Sequence, residues 1–366
     1  MLRAGIVGLP NVGKTTFFSA VTAQSSALIS NYPFSSSKAN VGVVAVPDER
    51  LAPLAKLVKT NVLVPASMEF VDIAGLVRGS SKGEGLGNQF LHNIRETDTM
   101  IQVVRCFEED AVVHVDGSID PKRDMETIQI ELALADLATV ERRRERVQKT
   151  AKSGEKTARA ELEVLDKLQP ALEEFRPAKS VPLDADELGI AQNYFLLTMK
   201  PTIYAANVGE ATLAAPQEST QVRAVQEVAA AENSECVIIC ARLEADLVEL
   251  SAEEQREYLE SLGITSSGGD KLIKSAYRVL GLMSFLTAGE KEARAWTIRQ
   301  GSRAQEAAGA IHSDIARGFI RAEIVGYDEL MRAGSYAVAK EQGLMRLEGK
   351  DYIMQEGDIV NFRFNV

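Results

Sequence analysis

The sequence predicts an α/β chain organised around a P-loop nucleotide-binding domain, and three observations carry that prediction. Gly8-Leu9-Pro10-Asn11-Val12-Gly13-Lys14-Thr15 fits the pattern G-x-x-x-x-G-K-[ST] in full. It lies between an apolar strand-like run, Leu2 to Val7, and a segment whose Phe17, Phe18, Ala20 and Val21 read as the inner face of a helix. Further on, Met68 to Asp72 reads as a strand that delivers an acid at its end, and Asp72-Ile73-Ala74-Gly75 follows the P-loop in the register of a second phosphate motif.

Each element has a chemical reason. Glycines at both ends of the P-loop let consecutive backbone N–H groups converge on one point, an anion nest at a helix N-terminus. Lys14 is expected to reach the β/γ-phosphates, with Asn11, Val12, Gly13 and Thr16 lining the tail. The Thr15 hydroxyl is expected to ligate a magnesium ion. The serine-rich passage around Asn31 to Ser37, before a strand at Val41 to Val46, could supply a second hydroxyl, with Ser36 the candidate. Asp72 would hold the magnesium through water, and the Gly75 N–H would sense the γ-phosphate. The glycine-dense run after it suits a switch. Leu76 stands where many related hydrolases place a water-orienting glutamine, and leucine cannot do that work.

The three histidines can be weighed singly. His92 and His312 read as structural. His114 could approach the γ-phosphate by a loop movement, but residue type alone favours an ordinary surface histidine. From Met125 to Phe175 the composition turns charged and leucine/alanine-rich. Ile130, Leu134 and Leu137, then Leu162, Leu165, Leu168 and Leu172, recur at helical spacing around a break at 152–155, which predicts an inserted helical hairpin. Its Arg142, Arg143, Arg144 and Arg146 form a run of the kind that is usually a solvated face, with a local ribosomal RNA contact as the lesser reading.

Base choice is expected at Asn207-Val208-Gly209-Glu210, after a strand from Pro201. Guanine enzymes of this class use Asn-Lys-x-Asp, whose aspartate accepts from guanine N1–H and the exocyclic amine. Here valine replaces the lysine, and the longer glutamate displaces the acceptor by a methylene. Adenine could use Asn207 and nearby backbone, with Val208 near the ring, so the tetrapeptide favours ATP. After a further strand at Val237 to Cys240, a boundary falls near Gly281. A small α+β module follows, with strands near 295–298, 318–324 and 360–366 and a helix near 303–316. Val360, Phe362, Phe364 and Val366 alternate onto one face. The resulting division is 1–124 with 200–280, then 125–199, then 281–366.

Composition narrows the setting. At 366 residues and 45% hydrophobic content, the chain can bury two or three cores. A net charge of −11 argues against a general nucleic-acid coat protein, so any nucleic-acid contact is local and none with DNA is expected. Cys106, Cys236 and Cys240 lack metal-ligand spacing and read as core thiols of a reducing compartment. With no signal peptide and no membrane-spanning run, a cytoplasmic protein is expected.

These residues together resemble the Obg-like ATPases of the YchF family. The resemblance covers essentially the full length and rests on the P-loop, Asn31 to Phe34, Asp72 to Val77, Lys82 to Leu91, Asn207 to Glu210 and Asp358 to Val366. It implies a Ras-like domain, a helical coiled-coil insertion and a C-terminal TGS domain of β-grasp type. It also implies magnesium-dependent ATP hydrolysis and association with ribosomes (70S or 50S). Relatives with a hydrophobic residue at the Leu76 position can recruit potassium through the P-loop asparagine, here Asn11, and His114 matches a histidine proposed for hydrolysis. The family usually has Phe-Cys-Thr where this chain has Phe34-Ser35-Ser36. Ser36 keeps the hydroxyl without the methyl that restrains χ1, which predicts looser ligation. A rival expectation, kept open by Leu76, is a nucleotide-gated binding protein in which ATP selects a conformation and turnover is negligible.

Overall fold

The structure, a computed structural model, describes residues 2–29, 40–75, 86–109, 111–152 and 155–365. Ser36, Leu76 and the glycine-dense run 77–85 lie outside the described residues. Twelve strands occur among those described: β1 Arg3–Val7, β2 Val41–Ala45, β3 Leu63–Val64, β4 Ser67–Asp72, β5 Thr99–Arg105, β6 Thr202–Asn207, β7 Glu235–Ile239, β8 Leu282–Ala288, β9 Ala293–Arg299, β10 Phe319–Gly326, β11 Arg346–Glu348 and β12 Asp358–Phe364. They form two six-stranded sheets, ordered β2-β4-β1-β5-β6-β7 and β11-β10-β12-β8-β9-β3. The chain divides into two compact units, Met1–Thr22 with Ser37–Gly42 and Glu69–Leu272, and Ala23–Ser36 with Val43–Met68 and Ile273–Val366.

In the first unit β4, β1, β5, β6 and β7 run parallel. The neighbouring strands β5 and β6 are buried at every residue. A parallel strand covered on both faces needs such a largely apolar run, and the parallel pairing aligns the strand ends that carry Val7, Asp72, Arg105 and Asn207. Ligands of open parallel sheets gather at those carboxyl ends.

The helical hairpin consists of Pro121–Ala151 and Lys156–Glu173. Asp120 caps the first helix by accepting from the Arg123 N–H at 3.1 Å, and Pro121 fills the first position, where its missing N–H costs nothing. On the second helix Leu165, Leu168 and Leu172 are buried as the spacing indicated. On the first, the buried stripe differs from the expected one. Ile130 is 36% exposed, while Ile128, Leu132, Val140 and Val147 are buried. The cause is a change of partner along the helix. Met125 packs into the nucleotide-domain core beside Val104 and Cys106. Val140 and Val147 pack against Val164 and Leu165 of the second helix.

Asp136, wholly buried on the first helix, fixes this arrangement. Its carboxylate accepts from the Leu197 and Thr198 N–H groups, both at 2.8 Å, and from the Thr198 hydroxyl at 2.7 Å. Thr198 Oγ1 in turn accepts from the Ala178 N–H at 2.9 Å. The returning chain is thereby tied to the long helix.

In the second unit Met283, Phe285, Ile298, Ile324, Val360 and Phe362 pack on Ala304, Ala307 and Ala308. Val360 and Phe362 face this core as their alternation indicated, whereas Phe364 is 43% exposed and Val366 lies outside the described residues. The single helix expected near 303–316 is two, Ala304–Ile311 and Ser313–Arg317, because His312 adopts an extended backbone and caps the second. The strand β8, absent from the sequence reading, contributes Met283 and Phe285 to this core.

Asp136 offers a direct test of the fold. Burial raises its carboxyl from 3.8 to about 6, against the pull of its three hydrogen bonds. A raised carboxyl contributes stability that is fully present below the unfolded value and is lost as pH rises through the folded one. Asp136→Asn should therefore flatten the stability curve between about pH 4 and 6. Asp136→Ala, which strands two buried N–H groups, should cost about 2–4 kcal/mol in urea denaturation at pH 7.

Candidate functional site

The P-loop leaves β1 and turns into the helix Lys14–Ile29. Asn11 (φ 61°) and Gly13 (φ 93°) both occupy the positive-φ region. Asparagine tolerates it, but Gly13 is compelled, because a Cβ there would lie 2.4 Å from Asn207 Nδ2. That contact identifies the brace of the site. Asn207, 3% exposed at the end of β6, donates from Nδ2 to the Val12 carbonyl at 2.8 Å and accepts at Oδ1 from the Ala241 N–H at 2.9 Å. One amide joins the phosphate loop to the loop after β7. Its capacity for a base is thereby reduced to one amide hydrogen and one lone pair. Val208 is 2% exposed and packs in the core with Val104 and Tyr204, so what it presents to the site is backbone.

Lys14 is 7% exposed and donates from Nζ to the Leu9 carbonyl at 2.6 Å. Burial lowers its ammonium from 10.5 to about 8, and the Asp72 charge opposes the shift. A Cβ on Gly75 would stand 3.3 Å from that Nζ, which places Gly75 beside the lysine head. Thr15 Oγ1 donates to Asp72 Oδ2 at 3.0 Å. Asp72 Oδ1 is buried and, among the described residues, has no hydrogen-bond partner. An orphaned anionic oxygen beside a threonine hydroxyl is a donor set that fits a hard cation and its water. Thr16, the next residue of the same turn, is exposed.

His114 is not a surface residue. It is 6% exposed, its Nδ1 accepts from the Asp116 N–H at 3.1 Å, and the proton this leaves on Nε2 is donated to Asp124 Oδ2 at 2.8 Å. Arg123 binds the other oxygen of Asp124 at 3.0 Å and lies 3.7 Å from Asp116, so one guanidinium and one imidazole tie the two carboxylates together. The burial comes from the first turn of the long helix, which composition around His114 could not reveal. To reach a phosphate, His114 must leave Asp124.

A residue that sequence reasoning missed governs the same loop. Arg105, 2% exposed at the end of β5, stacks on Phe107 at 4.6 Å and donates to the carbonyls of Phe107, Glu109 and Val112, the last at 2.9 Å. Asn11 donates to the next carbonyl, Val113, at 3.1 Å. Three consecutive residues are thus held from three directions: Val112 by β5, Val113 by the P-loop and His114 by the long helix. Backbone acceptors leave no pattern in a sequence. Only an arginine at the end of an apolar strand could have hinted at this role.

Glu210 opens the short helix Glu210–Leu213, and its Oε1 accepts from the Tyr258 hydroxyl at 3.0 Å. The basic run on the hairpin is partly neutralised, since Arg143 pairs with Glu161 and Arg144 with Asp166. Cys106 and Cys236 are free thiols pushed up by burial to about 12 and 11, in keeping with core packing rather than reactivity. No described helix is long and apolar enough to cross a membrane.

Comparison with known proteins agrees with this geometry. Residues 3–142 match a family described as 50S ribosome-binding GTPase, and residues 282–365 match the C-terminal YchF-GTPase family, described as of unknown function. A Bacillus subtilis protein named ribosome-binding ATPase YchF is 51% identical over all of both chains. An Escherichia coli O157:H7 protein of the same name is 49% identical over 100% of this chain and 99% of its own. The solved YchF GTPase of Schizosaccharomyces pombe superposes with a TM-score of 0.88 at 34% identity, covering 99% of this chain and 97% of that one.

The Lys14 shift predicts a pH dependence for triphosphate binding. The nest requires the ammonium form, so binding above about pH 8 must take up a proton. Affinity measured calorimetrically should be flat from pH 6.5 to 7.5 and fall towards tenfold per unit above about pH 8. Equal affinity at pH 7 and pH 9.5 would contradict this reading of Lys14.

Proposed function

Because this chain belongs to the YchF family, we propose that it is a magnesium-dependent ATPase that prefers ATP to GTP and works on the ribosome. The observation that carries the proposal is the pairing of a complete P-loop, its Lys14 buried against the nest, with Thr15 and the half-orphaned carboxylate of Asp72. In this reading Asn11 to Thr16 and Gly75 receive the triphosphate. Thr15, Asp72 through water, and Ser36 hold the magnesium, which supplies charge neutralisation between the β- and γ-phosphates. Water attacks the γ-phosphate, and the protein contributes position and electrostatics.

The names borne by the relatives divide between ATPase and GTPase, so the base must be argued from the residues. Support for ATP comes from Glu210 in place of the shorter aspartate, and from Val208, whose buried side chain leaves no lysine stem to lie along a guanine. Ribosome association comes from the names of the full-length relatives. Local contact with ribosomal RNA is assigned to the basic positions Arg142 and Arg146 of the hairpin and to Arg299, Arg321 and Arg363 of the C-terminal module. There Arg321 and Arg363 stand directly opposite one another across β10 and β12, and Arg363 pairs with Glu323 at 3.0 Å. The functional division is a nucleotide domain of 1–124 and 200–280, a helical insertion of 125–199 and a C-terminal module of 281–366. Potassium at Asn11 would add positive charge near the phosphates.

A second reading has its own observation. Both ring nitrogens of His114 are engaged, so the described conformation holds no free histidine for chemistry. In that reading ATP is a conformational ligand with negligible turnover, and His114 acts only once released.

Side-by-side titration of ATP and GTP, followed by turnover with magnesium, with and without potassium and ribosomes, decides between these readings. ATP preference with ribosome-stimulated hydrolysis is expected. ATP binding without hydrolysis under any condition would favour the conformational ligand, and GTP preference would overturn the base assignment. Lys14→Met should abolish binding of either nucleotide. His114→Ala should lower turnover while sparing ATP affinity, and unchanged turnover would remove the histidine from the chemistry.

A further inference from the structure

The loop between β5 and the long helix is restrained unequally along its length. Arg105 grips the first half: it stacks on the Phe107 ring and donates to the carbonyls of Phe107, Glu109 and Val112. Among the described residues, every acceptor of this 2% exposed guanidinium is a carbonyl of that loop. Burying a cation is costly, and here its bonding is directed at one segment.

Beyond Val112 the restraints are few and polar. Val113 and Val115 are 73% and 50% exposed, so neither anchors the segment by packing. What holds it is the Asn11 amide on the Val113 carbonyl and the bonds of His114 to the Asp116 N–H and to Asp124. At the far end Gly117 stands at φ 75° with open space where a Cβ would lie, and its N–H closes a turn on the His114 carbonyl at 3.0 Å. The segment 113–116 thus lies between a fixed end at Val112 and a permissive one at Gly117, held by hydrogen bonds that water can replace, and neither valine has to leave a core for it to move.

We propose that Arg105 is a positioning residue for ATP turnover: it fixes Val112 as the pivot about which His114 moves from Asp124 towards the triphosphate. A pivot two residues before the histidine leaves few backbone angles free, so the imidazole is delivered to a narrow range of positions. Without the guanidinium the pivot retreats to the end of β5, and the free segment grows to about ten residues with a correspondingly wider spread. Lys14, Thr15 and Asp72 make no bond to Arg105, so what is lost is delivery and not nucleotide binding. The proposal rests on the reading of His114, given above, as a group that acts once released.

The experiment measures Mg-ATP turnover, under the conditions of fastest wild-type hydrolysis, and calorimetric ATP affinity for the full chain as wild type, Arg105→Met, His114→Ala and the double variant. Arg105→Met should lower turnover about tenfold with ATP affinity within about threefold of wild type. In the His114→Ala background the same substitution should change turnover by less than about twofold, because the group it positions is gone. Arg105→Lys, which keeps the charge without the planar fork, carries the same expectation in kind if thermal melting shows that the methionine variant does not fold. Unchanged turnover, a loss of turnover matched by an equal loss of ATP affinity, or the same loss persisting in the His114→Ala background would each overturn the proposal. If His114→Ala itself turns over as fast as wild type, the reading of His114 fails and the proposal falls with it. If His114→Ala is slow and the Arg105 variants are not, the proposal alone falls.

Discussion

The site depends on one buried amide. Asn207 hydrogen-bonds the Val12 carbonyl and the Ala241 N–H, and so sets the spacing between the P-loop and the loop after β7. Each bond contributes on the order of 1 kcal/mol, but removing the side chain would strand a buried carbonyl and a buried N–H together, which costs more than the bonds supply. The same amide forbids a side chain at Gly13. The second glycine of the phosphate motif is therefore needed for its neighbour as well as for its own backbone angle.

Around that brace the polar groups fall into two kinds. Asn207, Arg105 and Asp136 each bind two or more backbone groups and hold parts of the chain at fixed distances. Asp72 Oδ1 and the Lys14 head carry the electrostatic stress of burial, one lacking a partner and the other with its pKa depressed. Groups left in that condition gain most from an incoming polyanion and its cation, which is how a preorganised site differs from a merely well-packed one.

What could be read in the sequence follows from how local each interaction is. The P-loop and the Asp72 motif were legible because their chemistry lies within a few consecutive residues. The Glu210 substitution was legible as a departure from a known tetrapeptide, but its tyrosine partner was not, since a contact spanning 48 residues leaves no periodicity. Arg105 was invisible because it binds carbonyls, which every residue has. His114 was placed on the surface on residue type alone, whereas Asp124 and Arg123 of the next helix enclose it. The stripe on Pro121–Ala151 was misread for a related reason. One helix packs on two successive partners, so no single face is apolar throughout.

The position of Asp136 on that helix has a mechanical consequence. Its 31 residues span about 46 Å, with Asp124 in the first turn and the hairpin tip at the far end. Asp136 pins the rod near its middle, about 18 Å from Asp124 and about 22 Å from Ala151. A rod held this way is a lever with its fulcrum inside. If the rod turned rigidly about that point, a displacement at the foot, where His114 bonds Asp124, would be reversed at the tip and slightly enlarged.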